Sequence, residues 1–467
     1  MRQTADDNNN SREEDMIKTT RRGIIRTAGL GAAAAALSPF MGMARAASQA
    51  MFTPEAGAEI SVLRWKRFVQ SEEDAFLKIV ADFTAKTGVK VNVASESLDD
   101  VQPKASVAAN VGQGPDIVWG LYSLPHLFPD KLVDLTDLAD SLGKAHGGWV
   151  EAAVSYGKSG DKWISIPVAF NGNYINYRKS AVEKAGFSKG VPGDTAGFLE
   201  LMKALKANNT PGGFALGHAS GDGNAWTHWA LWSHGASLVN EKDELTINSE
   251  ETKAACEFVK QLYEASIDGT ASWNDSFNNK AFLAGQLFLT NNGISIYAAA
   301  VKGSKPAADA EQSVKDAAPK MAEMAADIDH ALWPIGPAGK PTEFQVAYPM
   351  SVFQYSKFPN ACKAFIEYLL SNEAYNAWLE GAVGYLTQPL NAYESHPVWT
   401  ADPKRTVFRD AAKRTLTAGY KGSVGERAAA ALAEFVVLDM FANYATGRTD
   451  LPEAIKQAER QAKRIYR

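Results

Sequence analysis

The sequence predicts an α/β protein in which strands and helices alternate. Three observations carry that expectation. The 467 residues are 46% hydrophobic and 22% charged, a soluble globular composition. Apolar residues switch repeatedly between a period of two and helical spacing. Glycine and proline sit at the switch points. A chain of this length is expected to hold two or three domains and to bury large cores.

The elements follow in order. "EISVLRWKRF" (59–68) alternates as a strand. "SEEDAFLKIVADFTAKTG" (71–88) has an acidic first turn, helical spacing and a terminal glycine, so it reads as a capped helix. "VKVNVAS" (89–95) alternates again, and "PDIVWG" (115–120) is a short apolar strand. Strand, helix, strand, helix implies a βαβ sheet covered by helices. Further strands are expected at 164–170, 214–219, 287–291 and 346–355. Long helices are expected at 360–381 and 426–447, and an amphipathic one at the C-terminus. The alanine-rich stretch 306–329 reads as an exposed helix or insert, and "WPIGPAGKPTE" (333–343) as a connector.

The N-terminus reads as an address. Residues 1–46 contain a basic region with Arg21 and Arg22, a weakly apolar stretch, and Ala44-Arg45-Ala46 as a cleavage site. This is the pattern of a secretory signal, too short and alanine-rich to span a bilayer. "TRRGIIR" (20–26) is of the twin-arginine type. A mitochondrial presequence is disfavoured by five acidic residues upstream. The expected location is the periplasm. No later apolar run is expected to span a membrane.

Net charge −5 and a pI near 5.9 give no basic stripe for nucleic acid. Cys256 and Cys362 fit no metal cluster or redox pair and are expected as buried free thiols. The seven histidines form no metal-ligand spacing. His228 and His234, six apart, point about 120° away from each other on a helix. There is no G-x-S-x-G, H-E-x-x-H or P-loop. No cofactor is expected, and the chain is read as a binding protein rather than an enzyme. A periplasmic glycosidase, whose two carboxylates need no local motif, is the rival class.

Several landmarks line up along the chain: "GQGPDIVW", "KLVDLTDL", "ISIPVAFNGNYINYRKSAVEKAGF", "NNKAFLAGQLFLTNNG", "WPIGPAGKP", "SKFPNACKAFIEYLLSNEAYNAW" and "GYLTQPLNAY". In this order they resemble the extracellular solute-binding protein family 1, which includes the maltodextrin- and other sugar-binding proteins of ABC importers. The resemblance covers essentially the whole chain after the signal. It implies a two-lobed periplasmic-binding-protein fold, type II-like, with three hinge crossings and a ligand cleft between the lobes. The implied lobes are 55–167 plus 338–383 and 168–337 plus 384–467. The crossings fall near Pro167, Pro334–Pro337 and Tyr385–Pro389. It also implies permease partners, a small-molecule solute and a monomer.

Sugar sites need flat aromatic faces and planar polar groups. Trp119 and Tyr122 follow the strand "PDIVW", at the strand end where ligands bind in such folds, or else close the core there. Asn171 precedes a glycine and is either a polar contact or turn chemistry. Asp222, Asn224 and Trp226 open a helix after a glycine-rich loop; the first two read equally as helix caps. Asn292 matches a family segment ending at the cleft. The aromatic that the family often places after the next glycine is replaced here by Ile294 and Ser295, which weakens a maltodextrin-specific reading. Trp273, Tyr348 and Tyr385 either stack on the solute or pack in the core. Arg67, Gln70 and Glu96 end the first two strands and either bind hydroxyls or are solvated surface. Near the C-terminus Glu426, Arg427 and Glu434 stand where maltodextrin binders carry an aromatic. A small or differently functionalised solute fits better than a long malto-oligosaccharide; a non-sugar polar solute is the alternative.

Overall fold

The first strands build the sheet that the alternation predicts. The computed structural model describes residues 50–467. The expected export signal at 1–46 lies outside the described residues. In chain order the strands are β1 (Glu59–Trp65), β2 (Lys90–Glu96), β3 (Ile117–Trp119), the two-residue β4 (Lys158–Ser159) and β5 (Lys162–Trp163), β6 (Ile166–Asn171), β7 (Tyr174–Arg178), β8 (Leu289–Asn292), β9 (Ile328–Ala331) and β10 (Val346–Val352). The first sheet has the order β2-β1-β3-β10-β6, and a second has the order β8-β7-β9. β1 runs parallel to β2 and β3, whereas β10 runs antiparallel to β3 and β6.

Local chemistry explains these elements. β6 and β10 are buried along their whole lengths and read as continuous apolar runs because helices cover both faces. Helix Gln70–Thr87 ends where expected, with Gly88 in the left-handed conformation at φ 77°. It buries Phe76, Ile79, Val80 and Phe83, with Phe76 against Trp119 of β3 and Phe83 against Phe365. Helix Gln312–Asp327 buries only Met324, which agrees with an exposed helix in the alanine-rich stretch.

The structure corrects several boundaries. Residues 214–219 form no strand; just before them Gly212 makes a single bridge to Leu289 of the second sheet. The helix expected at 360–381 is two, Pro359–Leu369 and Asn372–Ala382, because Ser371 caps the second through the Ala374 N–H. The helix expected at 426–447 breaks at Phe435, whose φ is 54°. Taken together, Glu426–Ala445 is long and apolar enough to cross a membrane, contrary to expectation. It is 67% buried within the fold and bent at Phe435, as a core element is. β6 continues the first sheet to Asn171, and β7 begins the second at Tyr174, so the chain changes sheets at 172–173 rather than at 167. Cys256 and Cys362 are both buried and free. Burial pushes each thiol up to about 12.

Candidate functional site

Strand ends from both sheets converge on one chamber. β10 is antiparallel to β3 and β6, so its first residues lie beside their carboxyl ends: Met350 pairs with Trp119 and Tyr348 with Ala169. In the second sheet Tyr174 pairs with Asn292, which puts the end of β8 beside the start of β7. The chamber between them is lined by Trp65, Phe68, Leu98 and Leu121 on one side and Asp222, Asp275, Asn292 and Gly293 on the other. Asn171, Asn173, Gly221, Val346, Tyr348 and Tyr385 complete it. It holds about 30 Å³, room for little more than one water.

The polar side of this deep chamber is a hydrogen-bonded network that leaves Asn291 Oδ1 without a partner. Asp222 Oδ1 accepts from Asn173 Nδ2 at 2.6 Å, and Oδ2 accepts from Asn278 Nδ2 at 2.7 Å. Asn278 Nδ2 also donates to the Asn291 carbonyl, and Asn291 Nδ2 donates to Asn173 Oδ1 and to the Asp222 carbonyl. Carbonyl acceptors have no alternative role, so they fix which end of Asn278 and Asn291 is the amine. Asp222 is thereby required as a double acceptor. Burial and the neighbouring Asp275 carboxylate push its pKa well up, and the two amide donors oppose that shift.

Asp275 holds the loop that carries Asp222. Helix Asp222–Ser233 has no side-chain cap of its own. Asp275 supplies one from a distant segment: Oδ1 accepts the Asp222 N–H at 2.6 Å, and both oxygens lie 3.1 Å from the Gly221 nitrogen. An anion at a helix N-terminus is favourably placed. Burial raises this carboxyl to about 6 against the pull of these N–H donors. A Cβ at Gly221 would lie 3.0 Å from Asp275 Oδ1, and one at Gly293 only 2.7 Å from Asn171 Oδ1. Both glycines are there because of close approach.

Behind the aromatic wall lies a charged cage. Arg67 is buried, paired with the fully buried Glu72 at 2.6 Å. Its guanidinium stands 4.8 Å from the Tyr348 ring centre and 4.9 Å from that of Tyr385. Tyr385 is pushed up to about 12 by burial, against the pull of Arg67. Arg67 therefore supports the two chamber tyrosines from behind.

A larger outer chamber of about 490 Å³ adjoins the deep one, sharing Leu98 and Leu121 with it. Tyr122, Asn224 and Trp273 line it. Tyr122 donates to the Gly221 carbonyl at 3.1 Å, joining a loop of the first sheet to the loop before Asp222.

The expected residues thus divide. Asn171, Asp222, Asn292, Tyr348 and Tyr385 meet in the deep chamber, and Tyr122, Asn224 and Trp273 in the outer one. Two lie elsewhere in the core. Trp119 is fully buried among Trp65, Phe76 and Trp378, between the Arg64 and Arg67 guanidinium groups. Trp226 lines neither chamber: it is buried against Phe214, with its indole N–H tied to the Ala215 carbonyl at 2.6 Å. Glu96 pairs with Lys104 at 2.6 Å, and the exposed Gln70 donates to Asp74. Sequence reasoning missed Asn173, Asp275, Asn278 and Asn291. The signal was present in the doubled or near-doubled asparagines "NGN", "FNNK" and "LTNN". Among the described residues no three His, Cys, Asp or Glu gather as a metal site.

A mixed sheet and an antiparallel one, facing a shared chamber, define a two-lobed binding-protein fold. The model of the bacterial extracellular solute-binding proteins matches residues 78–407, and the chain belongs to that family. Its members bind solutes outside the cytoplasm and are not enzymes. Among solved structures, maltose-bound T. maritima MalE3 matches with a TM-score of 0.71 at 18% identity, over 87% of this chain and 100% of that one. The GacH receptor of Streptomyces glaucescens, solved unliganded and with acarbose, matches at 0.70 and 20%, over 88% and 99%. A solute-binding protein of Thermotoga lettingae bound to α-D-tagatose matches at 0.72 and 16%, over 88% and 100%. At these identities the likeness is one of fold. No curated protein matches the chain by sequence.

Proposed function

We propose that the chain is the receptor of a carbohydrate importer. It captures a mono- or oligosaccharide, or a related polyhydroxy solute, and delivers it to the permease of an ABC transporter. The observation that carries this reading is the deep chamber. Carboxylate, amide and tyrosine hydroxyl groups from both sheets stand beside the Trp65 and Phe68 rings. That combination suits paired hydroxyls next to an apolar sugar face. Asn171, Asp222, Asn292, Tyr348 and Tyr385 are the proposed contacts, with Arg67 positioning the tyrosines. The sugars named for the three similar structures agree with it. Neither lysine nor arginine lines the chamber, which counts against phosphorylated or sulfonated solutes.

The proposed lobes are those expected from the sequence, with the first crossing moved to 172–173. The chamber has room for about one water in this conformation, so holding a solute requires the lobes to stand further apart, a hinge motion. Export through a twin-arginine signal in residues 1–46, and a monomeric state, complete the proposal. A thermal-shift panel of sugars, polyols, polyamines and amino acids tests it. One sugar or polyol class should raise the melting temperature, because a ligand that binds only the native state stabilises it. Stabilisation by polyamines or amino acids alone would replace the solute class, and turnover of a glycoside would remove the receptor reading.

A further inference from the structure

We propose that the outer chamber is a subsite for an apolar substituent, so that the solute is a sugar or polyol bearing an alkyl or aryl group. This rests on the carbohydrate reading of the deep chamber. Leu98 and Leu121 form walls of both chambers, so a solute seated in the deep one extends past them into the outer one.

The two chambers differ in chemistry. The deep one is carboxylate and amide on its second-sheet side. The outer one is walled by Val101, Leu124, Leu127 and Leu432, with Asp99, Gln102, Ser220 and Asn274 among its polar lining, and no lysine or arginine lines it. Helix Glu426–Ala433 covers this space and packs on the turn Leu124–Leu127. It presents Ala429 and Ala433 to the chamber, small side chains that leave the volume open. A flat aromatic surface is built in. The His218 ring stacks on Phe435 at 4.3 Å and 5°, and its Nε2 is held 2.8 Å from Asp439 Oδ1. Two lining residues keep a buried polar atom without a partner, Asn224 Oδ1 and Ser123 Oγ; the first is suited to a hydroxyl or N–H where the substituent joins the sugar. Tyr122 and Phe435, both on the chamber wall, hold left-handed backbone at φ 50° and 54°. Bulky residues hold such conformations where the surrounding structure dictates them, and such positions cluster at ligand sites.

Calorimetric titration of matched methyl and 4-nitrophenyl glycosides of glucose, galactose, mannose and xylose tests the proposal. For the sugar that binds, the aryl member should bind ~10-fold or more tightly than its methyl partner, the gain expected from burying a ring. Ala433→Trp, which fills the chamber from its covering helix, should bring that ratio close to one. Equal affinities within the pair in the parent protein, or a ratio that Ala433→Trp does not change, would overturn the proposal and leave the sugar reading in place. Binding by no member of any pair, together with stabilisation by no sugar or polyol in the thermal-shift panel, would overturn the sugar reading itself.

Discussion

Asp275 is the point at which fold and site are joined, and Asp275→Ala should show it. The carboxylate lies 7% exposed and accepts the N–H groups of Gly221 and Asp222. Its loss leaves two buried donors without a partner, at ~1–3 kcal/mol each. It also removes a negative charge from the N-terminus of helix Asp222–Ser233, worth up to ~2 kcal/mol. Against this, the variant no longer buries a charge, whose cost is visible in the carboxyl's rise to about 6. The balance is a destabilisation of ~3 kcal/mol. The assay is urea unfolding followed by tryptophan fluorescence, with the solute found by thermal shift titrated into the folded variant. The urea midpoint should fall, and solute affinity should drop by ~10-fold or more as the loop carrying Asp222 loses its anchor. A variant with the parent's midpoint and affinity would refute the reasoning, because neither N–H would then depend on Asp275.

Further outcomes follow from the same contacts. Asp275 binds its proton more tightly when folded than the ordinary 3.8 of an unfolded chain, so stability should fall as pH rises from about 4 to about 6; Asp275→Asn should flatten that fall in urea midpoints taken across the range. Glu72→Gln leaves the buried Arg67 without its counter-charge and should cost ~3–5 kcal/mol, against which an unchanged midpoint would count. Trp226→Ala should lower stability by ~3–5 kcal/mol and leave solute affinity unchanged; a selective loss of affinity would return Trp226 to the site. Tyr122→Phe removes the bond to the Gly221 carbonyl, worth ~1 kcal/mol, and should weaken solute binding ~5-fold while the melting temperature without solute barely moves.

Trp226 shows where sequence reading stops. On helical spacing Ala225, Trp229, Trp232 and Ala236 share one face, which left Trp226 free to point at a cleft. Periodicity separates inside from outside only when one face of a helix meets water. Every residue of Asp222–Ser233 is buried, so the pattern has no outer face to report. The first strands, by contrast, were legible, since β1, β2 and β3 carry their period or their apolar run locally. What was not legible depends on contacts between distant segments. Asp222 was found as a loop residue entering a helix. Its partners Asn173 and Asn278 lie 49 and 56 positions away, and Asp275 lies 53 away. Each of these side chains alone reads as turn chemistry or solvated surface. Only the fold, by placing the ends of β6 and β8 beside that loop, makes one buried acceptor network of them. The same holds for Phe435, which interrupts an apolar run without glycine or proline and carries no local sign that the chain must turn there. In this protein the strands are written locally, and the binding chamber is written in pairs of residues that the sequence keeps apart.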